Sequence, residues 1–246
     1  MRLDFDGLFL YDRRINRTNN RSLSGDGKAG EKYMGKCIII GAGACDTKLL
    51  DQRLVVKNED LCIAADGGLD YLIQIGRTPD LVLGDMDSLQ AQALTDSLQV
   101  KRLPIEKDDT DMLAAIKEGL AAGYEQFELY GALGGRLDHT LANIQCLLYL
   151  LNRGAKGTIV GDHVTLMLIK DTKVCFTAAF CEKGRRISVF AFGGDAYGVS
   201  ERGLKYLLDA VTVRQEFPIG VSNEFIGEAA EVEVQRGMLL LCIEGD

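Results

Sequence analysis

Histidine is scarce in this chain, with only His139 and His163 among 246 residues. A zinc site built from His and Cys is therefore not expected, because tetrahedral zinc draws mostly on those two residue types. The seven cysteines, at positions 37, 45, 62, 146, 175, 181 and 242, include no C-x-x-C pair and sit mostly inside apolar runs. They read as reduced core thiols of a cytoplasmic protein, not as a disulfide framework or a redox motif. Basic charge is also short: 28 Lys and Arg against 36 Asp and Glu leave a formal net charge of -8. That balance argues against a non-specific nucleic-acid surface or an anionic-membrane surface, both of which reward basic patches. An anionic partner would need a metal ion or a local basic site. Long apolar runs are missing too, and the strongest, Cys146 to Leu151, falls far short of the roughly 20 residues of a spanning helix.

What is present suits a globular protein. Apolar residues make up 47% and charged residues 26%, enough to bury one large core or two modest ones. The first 33 residues differ from the rest, with Asp4, Asp6 and Asp12 interrupting any leader-like run and Arg13 to Lys32 rich in Asn, Ser and Gly. They read as a disordered or upstream tail, so a chain starting at Met34 is expected to fold.

From residue 34 buried strands alternate with helical segments. Met34 to Ile40 is an apolar strand ending at the glycine turn Gly41-Ala-Gly-Ala-Cys-Asp46. Asp46 stands where a dinucleotide fingerprint has its third glycine, so the turn is a weak match to a nicotinamide site and reads better as a close backbone approach to some ligand. Leu61-Cys-Ile-Ala-Ala65 is a second strand, followed by Asp66-Gly-Gly and a helix with apolar Leu69, Leu72 and Ile73. Leu81-Val-Leu-Gly-Asp-Met-Asp-Ser88 is a third strand that ends in two carboxylates one residue apart, so Asp85 and Asp87 face the same way in an extended chain. Like charges so close share a proton or hold a cation. A polar helix over 88–98 leads to Val100-Lys-Arg, and Lys107-Asp-Asp-Thr-Asp111 then opens a helix that Asp108 or Asp109 can cap. Phe127 to Tyr130 is another strand, followed by Gly131-Ala-Leu-Gly-Gly-Arg-Leu-Asp-His139 and a largely apolar helix over about 140–151, expected between layers.

Continuous apolar strands alternating with helices predict an α/β domain over 34–157, with a mainly parallel sheet and helices on both faces. Ligands of such sheets bind outside the carboxyl ends of the strands, and Asp66, Asp85, Asp87 and Asp111 all fall there. Beyond about residue 158 the period changes to two, as in Arg186-Ile-Ser-Val-Phe-Ala-Phe and Glu231-Val-Glu-Val-Gln, with glycine turns between short strands. This predicts an all-β sandwich domain over 158–246.

Asp66-Gly-Gly, Gly84-Asp-Met-Asp-Ser, Asp108-Asp-Thr-Asp111, Gly134-Gly-Arg-Leu-Asp-His139, Gly203-Leu-Lys-Tyr206 and Val221-Ser-Asn-Glu-Phe225, in this order, resemble the bacterial type of thiamine pyrophosphokinase. The resemblance covers roughly residues 35 to 246. It implies transfer of diphosphate from ATP to the hydroxyethyl oxygen of thiamine, with Mg2+, in a homodimer whose sites are shared between subunits. Asp66, Asp85, Asp87 and Asp111 would be catalytic and metal-binding. Asp108, Thr110, Gly134, Arg136, Asp138 and His139 would hold the nucleotide. Tyr206, Ser222 and Asn223 would hold thiamine. A carboxylate set of this kind suits the oxygen ligands and octahedral geometry of magnesium, and Arg136 offers a planar fork to phosphate oxygens. Two other readings stay open: a nucleotide-binding sensor of the same fold without turnover, and another diphosphate-transferring enzyme.

Overall fold

The structure is a computed structural model that describes residues 8–11, 35–84, 100–102 and 108–245. The first half contains β1 (Leu8–Tyr11), β2 (Cys37–Ile40), α1 (Thr47–Arg53), β3 (Leu61–Ala65), α2 (Gly68–Gln74), β4 (Leu81–Gly84) and β5 (Val100–Arg102). It continues through α3 (Asp111–Ala121), β6 (Gln126–Tyr130), α4 (Leu137–Leu151) and β7 (Lys156–Val160). Only strands follow: β8 (Val164–Lys170), β9 (Lys173–Phe176), β10 (Arg186–Ala191), β11 (Ala196–Arg202), β12 (Leu208–Val213), β13 (Asn223–Glu224), β14 (Ala230–Glu233) and β15 (Met238–Glu244).

The parallel sheet has the expected cause. All four residues of β2 are buried, and they alternate between two layers. Cys37 and Ile39 join Met112, Ile116, Cys146 and Leu147 under α3 and α4. Ile38 and Ile40 join Leu50, Leu69 and Leu72 under α1 and α2. Helices therefore cover both faces. Burial also pushes the thiols of Cys62, to about 12, and of Cys146, to about 11, away from reactivity.

Helix starts depart from the sequence reading in detail. Thr110, not Asp108 or Asp109, caps α3, its Oγ1 accepting from Leu113 N at 3.2 Å. The cap must immediately precede the first helical residue, and Asp109 lies one position too early and pairs with Lys117 instead. The helix expected over about 140–151 begins at Leu137 and buries one face only, through Asn143, Cys146, Leu147 and Leu150. Leu137 and Leu141 stay 71% and 55% exposed, so the helix is amphipathic and not enclosed between layers.

The described residues form two sheets. One has ten strands in the order β13-β10-β15-β8-β7-β6-β2-β3-β4-β5, the other five in the order β1-β9-β14-β11-β12. The five-stranded sheet packs on the antiparallel half of the larger one, with Val174, Phe176, Val199 and Val232 facing Met167, Ile169, Val189, Leu239 and Leu241. Rings of Phe176, Phe180 and Phe225 meet at centroid distances of 5.3 to 6.1 Å at one end of this core.

Two expectations about organisation change. The boundary expected between residues 157 and 158 falls inside β7, which pairs in parallel with β6 and antiparallel with β8, so hydrogen bonding runs unbroken through it. The sandwich thus borrows one layer from the sheet of the α/β half. Leu8–Tyr11, inside the supposed disordered tail, pairs antiparallel with β9 from Leu8↔Phe176 to Tyr11↔Lys173. These four residues are apolar or aromatic, and the polar average of the tail conceals them. Among the described residues no helix is long and apolar enough to cross a membrane.

Candidate active site

The parallel strands run β5-β4-β3-β2 on one side and β6-β7 on the other, so chain order reverses between β2 and β6. At such a switch point neighbouring loops leave in opposite directions and open a crevice at the carboxyl ends of the strands. A cleft of ≈ 420 Å³ lies there, floored by Gly41–Ala44 after β2 and Gly131–Ala132 after β6. The two turns are zipped together: Gly41 N donates to Tyr130 O and Gly43 N to Gly131 O, both at 2.8 Å. Gly131 has φ of +55°, and a Cβ there would sit 2.3 Å from Gly41 O. Only glycine fits at that crossing. Asp46, in place of a third fingerprint glycine, caps α1 by accepting from Lys48 N and Leu49 N.

Carboxylates reach the cleft from two further turns. Asp66 follows β3 with φ of +52°, a left-handed conformation that a non-glycine residue adopts at a cost of order 1 kcal/mol or more. Its N–H donates to Leu83 O at 2.7 Å, and a Cβ on Gly84 would lie 3.2 Å from Asp66 Cα. Gly84, the last residue of β4, therefore lies against Asp66. Asp85 and Asp87, the next two acids of the expected set, lie outside the described residues. Asp111 opens α3 on the cleft beside Thr110 and Met112. Among the described residues no three His, Cys, Asp or Glu side chains are grouped as a metal site.

The far wall is the start of α4, with Gly134, Gly135, Arg136, His139 and Asn143. Gly134 and Gly135 have φ of +78° and +65°, which turns the chain back toward the cleft before the helix begins. No side chain caps α4, and Arg136 occupies the cap position. Its guanidinium donates to Asp138 through Nε at 3.1 Å and Nη2 at 2.6 Å, which holds the Asp138 carboxyl below the usual carboxylate range. Both side chains are exposed, at 72% and 63%, so water screens the pair. Asp138 and Asp108 are exposed and are not part of the cleft lining. Asn143 was missed by the sequence reading: it is 8% exposed, and its Nδ2 donates to Ala132 O at 2.7 Å, holding the β6 turn from below. A polar residue on a helix gives no sign in sequence that it is buried. Tyr71, also missed, donates from its hydroxyl to Gly43 O at 2.9 Å.

Tyr206, Ser222 and Asn223 come together at the open end of the sandwich. Asn223 is 5% exposed; its Oδ1 accepts from Tyr206 N and Glu224 N, both at 2.9 Å, and its Nδ2 donates to Tyr206 O at 2.7 Å and to Glu201 Oε2 at 2.6 Å. Ser222 has φ of +61°, and its N–H donates to Ser188 Oγ at 3.0 Å. Asn223 thus holds the loop, and Tyr206, 60% exposed, is the ring it presents. Leu207 next to it in sequence, and Phe217, Ile219 and Val221 in the connection between β12 and β13, are 48% to 68% exposed.

Asn223 lies at the same edge of the large sheet as the cleft, since β13 pairs with the start of β10 and that with the end of β15. Five strand spacings separate β6 from β13, about 24 Å at the usual interstrand distance.

A doubly wound sheet with an acidic, glycine-floored cleft at its switch point, joined to a β-sandwich that presents an aromatic loop, defines a two-part small-molecule enzyme. The family model "Thiamin pyrophosphokinase, catalytic domain" matches residues 52–159, and "Thiamin pyrophosphokinase, vitamin B1 binding domain" matches residues 173–239. Together they span well over half of the chain, which belongs to the thiamine pyrophosphokinase family of enzymes. The thiamine pyrophosphokinase of Bacillus subtilis (strain 168) is 26% identical over 212 residues, covering 84% of this chain and 97% of that protein. Thiamine pyrophosphokinase 2 of Oryza sativa subsp. japonica is 27% identical over 206 residues, covering 74% and 76%. In fold, the crystal structure of the Bacillus subtilis enzyme superposes with a TM-score of 0.76 at 23% identity, over 86% of this chain and 99% of that one. Yeast thiamin pyrophosphokinase gives 0.70 at 15% identity, over 87% of each.

Proposed function

We propose that this enzyme transfers diphosphate from ATP to the hydroxyethyl oxygen of thiamine, releasing AMP and thiamine diphosphate. The observation that carries the reading is the cleft itself, where Asp66, Asp111 and Arg136 line one space over a glycine floor, beside the starts of α3 and α4. Backbone N–H groups of Leu137 and Asp138 at the start of α4, where the Arg136 side chain makes no cap, suit phosphate oxygens, while the N–H of His139 already donates to Asp138 Oδ1 at 3.0 Å. Arg136 can leave the exposed carboxylate of Asp138 for a phosphate with little loss. Thr110, Gly134 and His139 line the same space, and Asp108 and Asp138 stand at its margin. The cleft carboxylates offer hard oxygen donors that fit Mg2+, with Asp66 and Asp111 as ligands beside Asp85 and Asp87. A magnesium ion bound there supplies charge neutralisation on the triphosphate.

In the chemical step the hydroxyethyl oxygen of thiamine attacks the β-phosphorus in line. The bond from that phosphorus to the oxygen bridging it to the α-phosphorus breaks, AMP leaves with the bridging oxygen, and one of the cleft carboxylates takes the hydroxyl proton. Tyr206, on the loop held by Asn223 beside Ser222, offers an aromatic face to the flat pyrimidine and the cationic thiazolium.

Reacting atoms must approach to roughly 3–3.5 Å, while the two halves of the site in one chain are about 24 Å apart along the sheet. That separation supports a two-fold homodimer in which the cleft of one chain meets the aromatic loop of its partner. The exposed apolar side chains of Leu207, Phe217, Ile219 and Val221, and of Leu137 and Leu141, suit such a contact. Incubation with ATP, Mg2+ and thiamine is expected to give AMP and thiamine diphosphate in equal amounts. ADP and thiamine monophosphate as main products would overturn the reading.

A further inference from the structure

Glu201 is 1% exposed on β11, directly opposite Val232 of β14. Directly opposed residues share a sheet face, and Val232 lies in the sandwich core, so the carboxyl group of Glu201 points inward. Its Oε2 accepts from Asn223 Nδ2 at 2.6 Å, whereas Oε1 is buried with no hydrogen-bond partner among the described residues.

Of the charged groups on the surrounding elements, Arg185, just before β10, donates to Glu244 O at 2.6 Å and Phe180 O at 3.1 Å. Arg202, next to Glu201 on β11, reaches Glu231 and Glu233 of β14 and Asp209 of β12 from the other face of the sheet. Lys205, in the loop above, pairs with Glu224 of β13. Glu201 therefore sits in the core with one amide donor and no cation. An ionised carboxylate is costly in such a place, and burial raises its pKa above the usual carboxylate range, against a smaller opposing pull from the Asn223 hydrogen bond.

Resting on the thiamine reading of the Tyr206 loop, we propose that Glu201 is a positioning residue that sets thiamine affinity by fixing the amide of Asn223. Asn223 uses both its donors and its acceptor: Tyr206 is gripped through N–H and C=O alike, and the remaining donor goes to Glu201. Remove the acceptor beneath, and the amide is left with an unsatisfied buried donor and is free to turn. The ring of Tyr206 then loses its fixed orientation. Nothing in this chain of contacts touches the nucleotide cleft, so ATP binding is indifferent to it.

The protonation of Glu201 enters through the same contacts. With the proton on Oε1, Oε2 still accepts from Asn223. On ionisation the bare charge draws in water or opens the strand end, and Asn223 is released. The sign follows from the raised pKa: the stabilisation is fully present below the ordinary carboxylate pKa and is lost as pH rises through the pKa of the folded state.

The test measures thiamine binding by calorimetry, the KM for thiamine and for ATP, and kcat, on full-length protein with Glu201→Leu and Glu201→Gln. Glu201→Leu is expected to raise the thiamine KM by about tenfold or more while kcat and the ATP KM stay within about twofold. Glu201→Gln keeps a carbonyl acceptor for Asn223 and is expected to restore thiamine affinity to within about threefold of wild type. Thiamine affinity of wild type should weaken with rising pH across the ionisation of Glu201, and that of Glu201→Gln should not. A folded Glu201→Leu protein with unchanged thiamine KM overturns the proposal, and so do parallel pH profiles of wild type and Glu201→Gln, which remain decisive if the Leu variant does not fold. Wild-type protein that binds no thiamine at all overturns the acceptor reading together with this one, whereas normal binding by wild type and both variants overturns this one alone.

Discussion

Asp111 and its neighbour Thr110 have separable duties. Thr110 caps α3, so Asp111 is not needed to start the helix, and its place on the cleft is left to chemistry. Asp111→Asn is expected to fold as wild type by circular dichroism and to lose turnover by about 10²-fold or more, as positioning and charge neutralisation dominate phosphoryl transfer. Near-normal turnover would remove it from the site. Arg136 and Asp138 make the opposite case. Arg136→Ala should raise the ATP KM by about tenfold, whereas Asp138→Asn, which frees the guanidinium and keeps a side-chain oxygen for His139 N, should leave it within about twofold. Asn143→Leu leaves the carbonyl of Ala132 unpaired, and urea unfolding should register a loss of about 1–3 kcal/mol. The acids of the cleft were legible because they recur where apolar runs end. Asn143 and Glu201 were not, because a polar residue acquires a buried partner only through tertiary contacts far away in sequence.

At the level of elements, the strands of the first half could be read from sequence because burial on both faces makes them continuously apolar. α1 escaped notice: its start, Asp46, stood out as the wrong residue for a nucleotide fingerprint, although it is the right one for a helix cap. β1 escaped because four apolar residues vanish in a polar average. Its pairing covers the edge of β9, which would otherwise present unpaired N–H and C=O groups. A chain starting at Met34 is expected to keep its turnover but to self-associate more readily, visible as a higher apparent mass in light scattering. An unchanged mass would show that β1 does not protect that edge. The glycine crossing at the switch point is less forgiving. Gly131→Ala would drive a Cβ into Gly41 O, and a destabilisation of about 1–3 kcal/mol, with weaker ATP binding, is expected in denaturation and binding measurements.

For the whole molecule, the shared-site reading makes a mixing experiment decisive. Chains carrying Asp111→Asn lack the cleft half, and chains carrying Asn223→Ala lack the loop half. If subunits exchange, equal mixing yields roughly half heterodimers, each with one intact site and one doubly damaged, so roughly a quarter of wild-type activity should return. Confirmed exchange with no recovery would put both halves of the site in one chain. The two-part architecture itself could be seen in sequence as a change of period near residue 158. Where the parts join could not, since β7 reads the same whether it ends one sheet or continues another, and only its pairing on both sides decides.

That joint has a consequence for how the protein comes apart. Between β7 and β8 only three residues, 161–163, intervene, and the hydrogen-bond ladder passes straight across them. There is no hinge there about which one half could swing, nor a linker for a protease to enter. Cutting the chain at this turn would strip β7 of one partner strand and leave β8 with an open edge, so neither fragment should be soluble on its own. Heating should accordingly melt both halves in a single calorimetric transition, and the vitamin-binding half cannot be borrowed as a detachable module.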